Sequence, residues 1–264
     1  MIRVGVIGAA GRMGRVVCKA VVEDPELSLV AAISPEHGGA TVGPLIGHPE
    51  IDVGISGQID ELTRAVAEVG VDFTQPDVVM ANVRWLIEHD LHAVVGTTGI
   101  GAVDLAEIER LIVAGGGRSN VVVAPNFAIG AVLLQRFAAE AASFFPAAEV
   151  IELHHEGKLD APSGTSLSTA RRMAESRDTE WRGPAAESVE GVRGGDVEGI
   201  RVHSVRLPGL VAHQEVIFGG PGQTLTLRHD SLDRASFMPG VLLAIKAVMR
   251  RPGLTVGLEP LLFT

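Results

Sequence analysis

Short apolar runs alternate with amphipathic stretches along the first half of the chain. Apolar runs bounded by turn residues predict buried strands, and apolar positions that recur every three or four residues predict helices. The predicted strands are IRVGVIG, LSLVAAIS, GVDFT, LHAVVGTTG and NVVVAPNF, and the predicted helices are RMGRVVCKAVVED, DELTRAVAEV, VVMANVRWLIEHD and AVDLAEIERLIVAG. This alternation predicts an α/β fold with a parallel sheet covered on both faces. Residues 35–58 give no clear pattern.

The pattern changes after Phe127. The stretch AIGAVLLQRFAAEAASFF predicts one amphipathic helix. Its expected apolar stripe consists of Ile129, Val132, Leu133, Phe137 and Ala141. Three further strands are predicted at IRVHSVRL, AHQEVIF and TLTLRHD, and the last two flank GGPGQ as in an antiparallel hairpin. A final helix is predicted at MPGVLLAIKAVMRRPG, with Pro239 near its first position. The second half therefore predicts a mixed α+β domain.

Gly8, Gly11 and Gly14 form a G-x-x-G-x-x-G loop directly after the first strand and before the first helix. Small residues there let backbone N–H groups approach a pyrophosphate, and the helix N-terminus attracts its negative charge. Such a loop is also compatible with a tight turn that binds no ligand, but its position in a strand–loop–helix unit favours a nucleotide. We therefore predict a Rossmann-like dinucleotide-binding domain. The candidate cofactor-binding residues of the loop are Gly8, Ala9, Ala10, Gly11, Arg12 and Met13.

The residue expected to contact the adenosine ribose is unusual. An acidic residue at the end of the second strand often binds the ribose 2′-hydroxyl, whereas this chain has Ser34 there. A serine tolerates a 2′-phosphate better than a carboxylate does, and Arg12 is a candidate to bind that phosphate. However, no Arg or Lys follows Ser34, Glu36 is a substitute acid, and Ser34 is equally well a plain strand-end residue. The coenzyme stays open between NADPH and NADH, with a slight preference for NADPH.

Composition and charge narrow the function classes. The chain has 264 residues, 46% hydrophobic and 20% charged, with a formal net charge of −10. The acidic balance disfavours nucleic acid as a partner, because its phosphates would be repelled. Neither a signal peptide nor an apolar run long enough to span a membrane is recognisable. Cys18 is the only cysteine, so an intrachain disulfide is excluded, which fits a reducing compartment. We expect a cytoplasmic protein without nucleic-acid or membrane partners.

Residues 150–165, VIELHHEGKLDAPSGT, combine titratable side chains with a helix start. Val150–Leu153 predicts a strand, so His154 and His155 leave its end on opposite faces. The Pro-Ser-Gly-Thr turn precedes a predicted helix, LSTARRMAE, whose N-terminal N–H groups favour a carboxylate or phosphate. His154, His155 and Lys158 are candidates to bind that anion or to transfer a proton to it.

These histidines also have a plainer interpretation as hydrogen-bonded structural residues, which the nearby lysine and helix start disfavour. A zinc site is disfavoured, because adjacent histidines on a strand point apart and the sequence has no second ligand cluster. Asp160 is interpreted as a turn or cap residue rather than a general base. Histidines without such a context are interpreted as structural, namely His37, His48, His89, His203 and His229.

Glu152 to Thr165 resemble the hallmark run Glu-x-His-His-x-x-Lys-x-Asp-Ala-Pro-Ser-Gly-Thr of the 4-hydroxy-tetrahydrodipicolinate reductase family, also called dihydrodipicolinate reductase. GAAGRMG, APNFAIGAVL, LVAHQEVIF and LTVGLEPLL resemble other segments of that family, so the likeness covers nearly the whole chain. Gly157 stands where a histidine or another side chain is common, and it adds backbone freedom to the loop. The resemblance implies a dinucleotide-binding domain (1–127), a substrate-binding and oligomerisation domain (128–235), and a C-terminal helix and tail (236–264) that returns to the first domain.

The resemblance also implies a reaction, the NADPH- or NADH-dependent reduction of 4-hydroxy-tetrahydrodipicolinate, a cyclic dicarboxylate of lysine and diaminopimelate biosynthesis. His154 and Lys158 would be catalytic and transfer the proton. The substrate carboxylates would bind to His155, Gly164 and Thr165. The nicotinamide and its ribose would contact Gly96, Thr97, Thr98, Ala124, Pro125, Asn126 and Phe127. Family members are tetramers, which implies a homotetramer built through the strands around Glu215–Phe218 and Thr224–Leu227.

Two other interpretations stay open. One is a two-domain amino-acid or semialdehyde dehydrogenase. A phosphorylating semialdehyde dehydrogenase would need a nucleophilic cysteine after the nucleotide domain, whereas Cys18 lies in the first predicted helix. The other is a non-enzymatic NAD(P)-sensing protein, which would keep the glycine loop without needing His154, Lys158 and Thr165 together.

Overall fold

A computed structural model describes residues 1–181 and 186–263. They form two compact units. The first comprises Met1–Phe127 and the chain from Phe237 onward, and the second comprises Ala128–Ser236. The chain therefore leaves the first unit after its sixth strand and returns to it for its last helices and last strand.

The described residues contain strands and helices with the following bounds. The strands are β1 (Ile2–Ile7), β2 (Leu27–Ile33), β3 (Ile55–Ser56), β4 (Val69–Asp72), β5 (His92–Val95), β6 (Val121–Val123), β7 (Ala147–His154), β8 (Gly195–Val197), β9 (Ile200–Arg206), β10 (Ala212–Gly220), β11 (Gln223–Ser231) and β12 (Leu254–Val256). The α-helices are α1 (Arg12–Glu23), α2 (Gly43–Ile46), α3 (Glu61–Arg64), α4 (Val79–Glu88), α5 (Ala102–Ala114), α6 (Ile129–Ala142), α7 (Gly164–Glu175), α8 (Met238–Val248) and α9 (Glu259–Leu262). Short 3-10 helices span Pro35–His37 and Arg234–Phe237.

The first unit is built on a parallel sheet. Among the described residues it has seven strands in the order β12-β6-β5-β4-β1-β2-β3, and every neighbouring pair is parallel. Its central strands are apolar runs that are buried along most of their length, as expected for strands covered on both faces. This confirms the Rossmann-like α/β fold predicted from the alternating pattern.

One predicted helix of this unit is wrong. The stretch DELTRAVAEV forms only the single turn α3, because Val66 adopts a φ of +54° and Val69 already begins β4. A β-branched residue rarely takes this left-handed conformation. Arg3 of β1 stabilises it, since its guanidinium donates hydrogen bonds to the carbonyls of Ala65 and Val66. A contact from a distant strand therefore overrides the local helical pattern.

The second unit contains a mixed sheet, which confirms the predicted α+β class. Its described strands follow the order β11-β10-β7-β9-β8. β7 and β9 are parallel, and the other neighbouring pairs are antiparallel. The predicted hairpin is present, because β10 and β11 pair from Gly220 and Gln223 outward around a turn that includes Gly222 at a φ of +72°.

Helix α6 forms where it is predicted, and its buried face matches the predicted stripe in part, because Val132 is buried and Ala141 packs against the core. Phe137, expected in the apolar stripe, is 45% exposed. The residues that α6 contributes to the core of the second unit are Leu134, Ala138 and Ala142. These three residues are spaced by four positions and so follow one face of the helix, and the exposed Phe137 lies outside it.

Helix α8 belongs to the first unit and begins with Pro239 in its first turn, as predicted. Asn120 ties its C-terminal end to the sheet. The side-chain amide of Asn120 donates to the carbonyl of Val248 at 2.8 Å, and its oxygen accepts from the N–H of Gly253 at 3.1 Å. No helix within residues 1–181 and 186–263 has the length and apolar character needed to cross a membrane.

Candidate active site

The glycine loop joins β1 to α1 in the first unit. Gly8 has a φ of +84°, and a Cβ there would lie 2.7 Å from the carbonyl oxygen of Phe73. A Cβ on Gly14 would lie only 2.0 Å from the carbonyl oxygen of Gly8, so only glycine allows α1 to pack this close to the loop. The N–H of Gly11 closes the turn by donating to the carbonyl of Gly8 at 2.9 Å. The two outer glycines are therefore required by the turn and by helix packing.

The same loop fits a dinucleotide pyrophosphate. Gly11 is the N-cap residue of α1 and has no side chain that could accept from the first-turn N–H groups. Ala9 and Ala10 have small, buried side chains that do not cover those N–H groups, and Arg12 is exposed. A helix start without a side-chain cap offers its N–H groups and its dipole to an anion. These features agree with the loop as a coenzyme site.

Ser34 directly follows β2, which ends at Ile33, and is largely buried. Its N–H donates to the carbonyl of Ser56 at 2.8 Å, and its hydroxyl lies 3.5 Å from Nδ1 of His37. Glu36 is exposed in the short helix that follows. These contacts show a strand-end residue with local partners and leave both coenzymes compatible with this site.

A buried carboxylate organises the two loops that follow β4 and β5. Asp72 is 0% exposed, and its Oδ1 accepts from the N–H of Thr74 at 3.0 Å and from the hydroxyls of Thr74 and Thr97 at 2.7 and 2.8 Å. Its Oδ2 accepts from the amide of Asn82 at 2.8 Å. Of the two neighbouring threonines, Thr97 is buried and its hydroxyl is engaged by Asp72, whereas Thr98 is exposed.

The segment Ala124–Phe127 follows β6 at the same carboxyl edge of the parallel sheet, where ligands bind in open α/β folds. Ala124 and Phe127 are buried, and the ring of Phe127 packs 5.8 Å from that of Phe73. Pro125 is exposed and Asn126 is half-buried. Gly96 is also half-buried, and the ring of Phe73 occupies the space that a Cβ there would need. The predicted nicotinamide-binding residues thus lie on adjacent loops at one edge.

In the second unit, His154 ends β7 and its side chain is 14% exposed. Its Nδ1 lies 2.5 Å from Oε2 of Glu152, which is fully buried two residues earlier on the same face of the strand. Arg206, which ends β9 beside His154, donates to both carboxylate oxygens of Glu152 at 2.7 and 2.9 Å. Burial raises the pKa of Glu152, but hydrogen bonds from His154, Arg206 and Ser204 outweigh it and lower the pKa from 4.5 to about 2.

The loop after β7 carries the other predicted catalytic group. His155 is exposed and His154 is not, as their opposite faces require. Nζ of Lys158 lies 2.6 Å from Oδ1 of Asp160. The hydrogen bond from Lys158, with a smaller contribution from the backbone N–H of Gly164, lowers the pKa of Asp160. Asp160 is therefore both the ion-pair partner of Lys158 and a contact of the first residue of α7.

Helix α7 starts at Gly164, as the turn residues predict. Ser163 is its N-cap, and the Ser163 hydroxyl accepts from the N–H of Ser166 at 3.2 Å. Gly164 is exposed and Thr165 is half-buried at this helix start. The helix is attached to β10 by a buried polar chain, in which Ser166 donates to Gln214 at 2.8 Å and Gln214 donates to Thr169 at 2.7 Å. His155, Lys158, Gly164 and Thr165 thus belong to one short loop and helix start.

Sequence reasoning assigned no role to Glu152 beyond the family run, and it missed Arg206 and Gln214. A charged residue between the apolar Ile151 and Leu153 of a predicted strand is a signal that marks Glu152. Nothing in the sequence connects Arg206 or Gln214 with the loop, because they lie on other strands. Of the histidines interpreted as structural, His203 contacts Glu149 on the neighbouring strand at 2.8 Å.

Known proteins of one family are similar to this chain along nearly its whole length. The profile described as "Dihydrodipicolinate reductase, N-terminus" matches residues 2–127, and that described as "Dihydrodipicolinate reductase, C-terminus" matches residues 130–262. A protein of Nocardia farcinica named 4-hydroxy-tetrahydrodipicolinate reductase is 52% identical over 265 residues, covering 99% of this chain and 98% of the relative. A protein of the same name from Mycobacterium marinum is 50% identical over 262 residues, covering 98% of each.

Solved structures agree. The dipicolinate-bound dihydrodipicolinate reductase from Paenisporosarcina sp. TG-14 is 40% identical, with a TM-score of 0.85 over 98% of this chain and 99% of that chain. An amine dehydrogenase from Mycobacterium smegmatis is 14% identical, with a TM-score of 0.67 over 96% of this chain and 94% of that chain, and shares the fold alone. The resemblance seen in the sequence is confirmed. The chain belongs to the dihydrodipicolinate reductase family, whose members are oxidoreductases that use NADH or NADPH.

Proposed function

We propose that this protein reduces 4-hydroxy-tetrahydrodipicolinate to tetrahydrodipicolinate in lysine and diaminopimelate biosynthesis. The observation that carries the proposal is the segment from His154 to Thr165. It combines an imidazole, an ammonium and a helix N-terminus in a run that resembles the family hallmark. The names of the relatives and the dipicolinate in the neighbouring structure support the same substrate class. A bound NADPH or NADH supplies the hydride.

His154 and Lys158 are proposed to supply the proton that must follow hydride arrival. Nδ1 of His154 is engaged by Glu152, so Nε2 is the ring nitrogen that is left to act on the substrate. The Lys158 ammonium is held by Asp160 and brings a second proton donor to the same loop. A positioned acid of this kind contributes about 100- to 10,000-fold to a reaction rate.

The two substrate carboxylates are proposed to bind His155, Gly164 and Thr165. His155 is exposed, and the N–H groups at the start of α7 attract an anion through the helix dipole. A dicarboxylate that binds here would compete with Asp160, whose carboxylate accepts from Gly164. The overall charge of −10 does not oppose this binding, because a carboxylate responds to the local field of the loop.

The test is the oxidation of NADPH and NADH, followed by absorbance, with the substrate generated in situ by a dipicolinate synthase. We expect oxidation only when substrate is present, and the ratio of the two rates will show which coenzyme the Ser34 site prefers. His154→Ala and Lys158→Ala should each lower kcat by about 100-fold or more, because each removes a proton donor. Coenzyme affinity should stay unchanged.

His203→Ala is the matched control. It removes a histidine that lies in the same sheet but contacts Glu149. It should keep wild-type turnover. Folded wild-type protein that oxidises neither nucleotide would contradict the proposed function. Full activity in either active-site variant would contradict the role given to that residue.

The semialdehyde dehydrogenase alternative is disfavoured by the structure of α1. Cys18 is fully buried there, and burial raises the pKa of its thiol to about 12. A thiol in this state is a poor nucleophile.

We further propose that the protein is a homotetramer assembled through the second unit's sheet. Thr224, Leu225 and Thr226 of β11 are exposed on consecutive positions, so both faces of the strand are open at these positions in the single chain. Light scattering should give four times the monomer mass of 27.6 kDa. A monomer would contradict this assembly.

A further inference from the structure

Glu152 occupies the most enclosed charged position of the second unit's sheet among the residues that the structure describes. β7 lies between β10 and β9, and the register places Gln214 and Ser204 on either side of Glu152. The Glu152 side chain is 0% exposed. A carboxylate in such a place must have its oxygens satisfied by donors, because leaving it unpaired would cost several kcal/mol.

Donors from several elements meet this requirement. Oε2 of Glu152 lies 2.5 Å from Nδ1 of His154 and 2.9 Å from Nη1 of Arg206. Oε1 accepts from Nη2 of Arg206 at 2.7 Å and from the N–H of Ser163 at 3.3 Å. The carboxylate therefore connects the strand that bears His154 with the N-cap of α7.

Arg206 extends the connection to the loop. Its Nη2 donates to the carbonyl of Asp160 at 2.6 Å, and its Nε donates to the carbonyl of Lys158 at 3.3 Å. Because its guanidinium is also paired with both oxygens of Glu152, it holds the loop backbone against the sheet. The position of the Lys158 backbone thus depends on Glu152.

We propose that Glu152 is a positioning residue that fixes one tautomer of His154 and, through Arg206, the backbone that carries Lys158. The inference rests on the proposed function for the roles of His154 and Lys158. Glu152 is ionised at neutral pH and can only accept hydrogen bonds, so Nδ1 of His154 must carry a proton. Nε2 then takes up and releases the proton that reaches the substrate, while the Nδ1–H group keeps donating its hydrogen bond to the carboxylate.

Glu152→Gln tests the proposal because the geometry dictates how the amide will lie. Oε1 of Glu152 accepts from Nη2 of Arg206 and from the N–H of Ser163, which can only donate, whereas His154 at Oε2 can change its tautomer. The single oxygen of the glutamine will therefore take the Oε1 position. The amide nitrogen will then face Nδ1 of His154 and donate to it. His154 is driven into the opposite neutral tautomer, with its proton on Nε2, while the size of the side chain at position 152 is nearly unchanged.

Glu149→Gln is the matched control. Glu149 lies on the same strand, and its carboxylate also contacts a histidine, His203, and an arginine, Arg193. It faces the opposite side of the sheet from Glu152 and contacts neither His154 nor the Lys158 loop. A general effect of removing a β7 carboxylate from such a trio would appear in both variants.

The experiment combines ¹⁵N NMR of histidine-labelled protein with steady-state kinetics, and the His154→Gln variant identifies the His154 signals by their loss. We expect the Nδ1–H form in the wild type and in Glu149→Gln, and the Nε2–H form in Glu152→Gln. The kcat of Glu152→Gln should fall by about 100-fold or more, because His154 presents the wrong nitrogen. Its KM for the coenzyme should be unchanged.

An Nε2–H tautomer in the wild type would overturn the proposal, and so would wild-type kcat in Glu152→Gln or an equal loss in Glu149→Gln. If Glu152→Gln does not fold, the wild-type spectrum decides alone. Failure of the proposed function gives a different result, since the wild type would then oxidise no coenzyme whichever tautomer His154 adopts.

Discussion

Strand β7 carries two trios of the same composition on its opposite faces, each with a glutamate, an arginine and a histidine. Glu152 contacts His154 and Arg206, and its side chain is 0% exposed. Glu149 contacts His203 and Arg193, and its side chain is 35% exposed. The two glutamates are three positions apart, and because side chains alternate between the faces of a strand, they point to opposite faces.

The comparison shows that the same three residue types contribute differently to stability when their burial differs. Solvent reaches all three side chains of the half-buried Glu149 trio, and ion pairs that solvent screens contribute about 1 kcal/mol or less. The Glu152 trio has no solvent to replace a missing partner, so its arginine and histidine are required, and they in turn are fixed by the carboxylate. A buried trio can therefore hold side chains in one geometry, whereas the half-buried Glu149 trio adds little to stability.

The largest expected difference comes from removing each arginine. Arg206→Met leaves a fully buried carboxylate without its bidentate partner, and we expect it to lower the free energy of unfolding by about 3–5 kcal/mol. Arg193→Met should lower it by about 1 kcal/mol or less. Urea unfolding of both variants measures the contrast. Equal losses would mean that the exposure of the glutamate does not decide the strength of the trio.

Acid unfolding sharpens the comparison through the pKa of Glu152. A group with a lowered folded-state pKa stabilises the fold above its unfolded pKa and loses that contribution as the pH falls towards the folded one. For Glu152 the window runs from pH 4.5 down to about 2. The difference in free energy of unfolding between the wild type and Glu152→Gln should shrink by roughly 3 kcal/mol as the pH falls through this window.

Glu149→Gln is the control for this measurement. It should keep the acid dependence of the wild type, because its Glu152 trio is intact. A constant difference between the wild type and Glu152→Gln over this pH range would contradict the lowered pKa.

The smallest expected effect concerns the link from the buried trio to α7. The hydroxyl of Ser163 caps the helix by accepting from the N–H of Ser166, and the N–H of Ser163 donates to Glu152. Ser163→Ala should lower the free energy of unfolding by about 1 kcal/mol. Ser168→Ala, at an exposed position within the same helix, should cause no loss, because alanine favours a helix interior. Thermal unfolding compares the two, and equal stabilities would show that the cap contributes nothing.

Local patterns predicted most elements correctly. The five predicted strands of the first half overlap β1, β2, β4, β5 and β6, because buried parallel strands are mostly apolar. The helix start at Ser163 was also predictable, since a serine cap is a local signal. The helix predicted over DELTRAVAEV was wrong, because Arg3 of a distant strand stabilises the turn at Val66.

Faces were harder to predict than elements. The predicted stripe of α6 included Phe137, which is exposed, and omitted Ala138 and Ala142, which lie in the core. Among the proposed site residues, the hydroxyl of Thr97 is engaged by Asp72 in the structure. Both features depend on which neighbour packs against a residue, and a local sequence pattern does not report that neighbour.

The sequence by itself determined the family, the alternation of strands and helices, and the chemistry of the segment from His154 to Thr165. These follow from residues close together in the chain, where spacing alone decides which side chains share a loop or a helix start. Only the tertiary structure decided that Arg206, 54 positions from Glu152, completes the buried trio. Strand pairing brings residues that are distant in the chain side by side. A buried charge such as Glu152 is stable only when one of these neighbours is an oppositely charged partner.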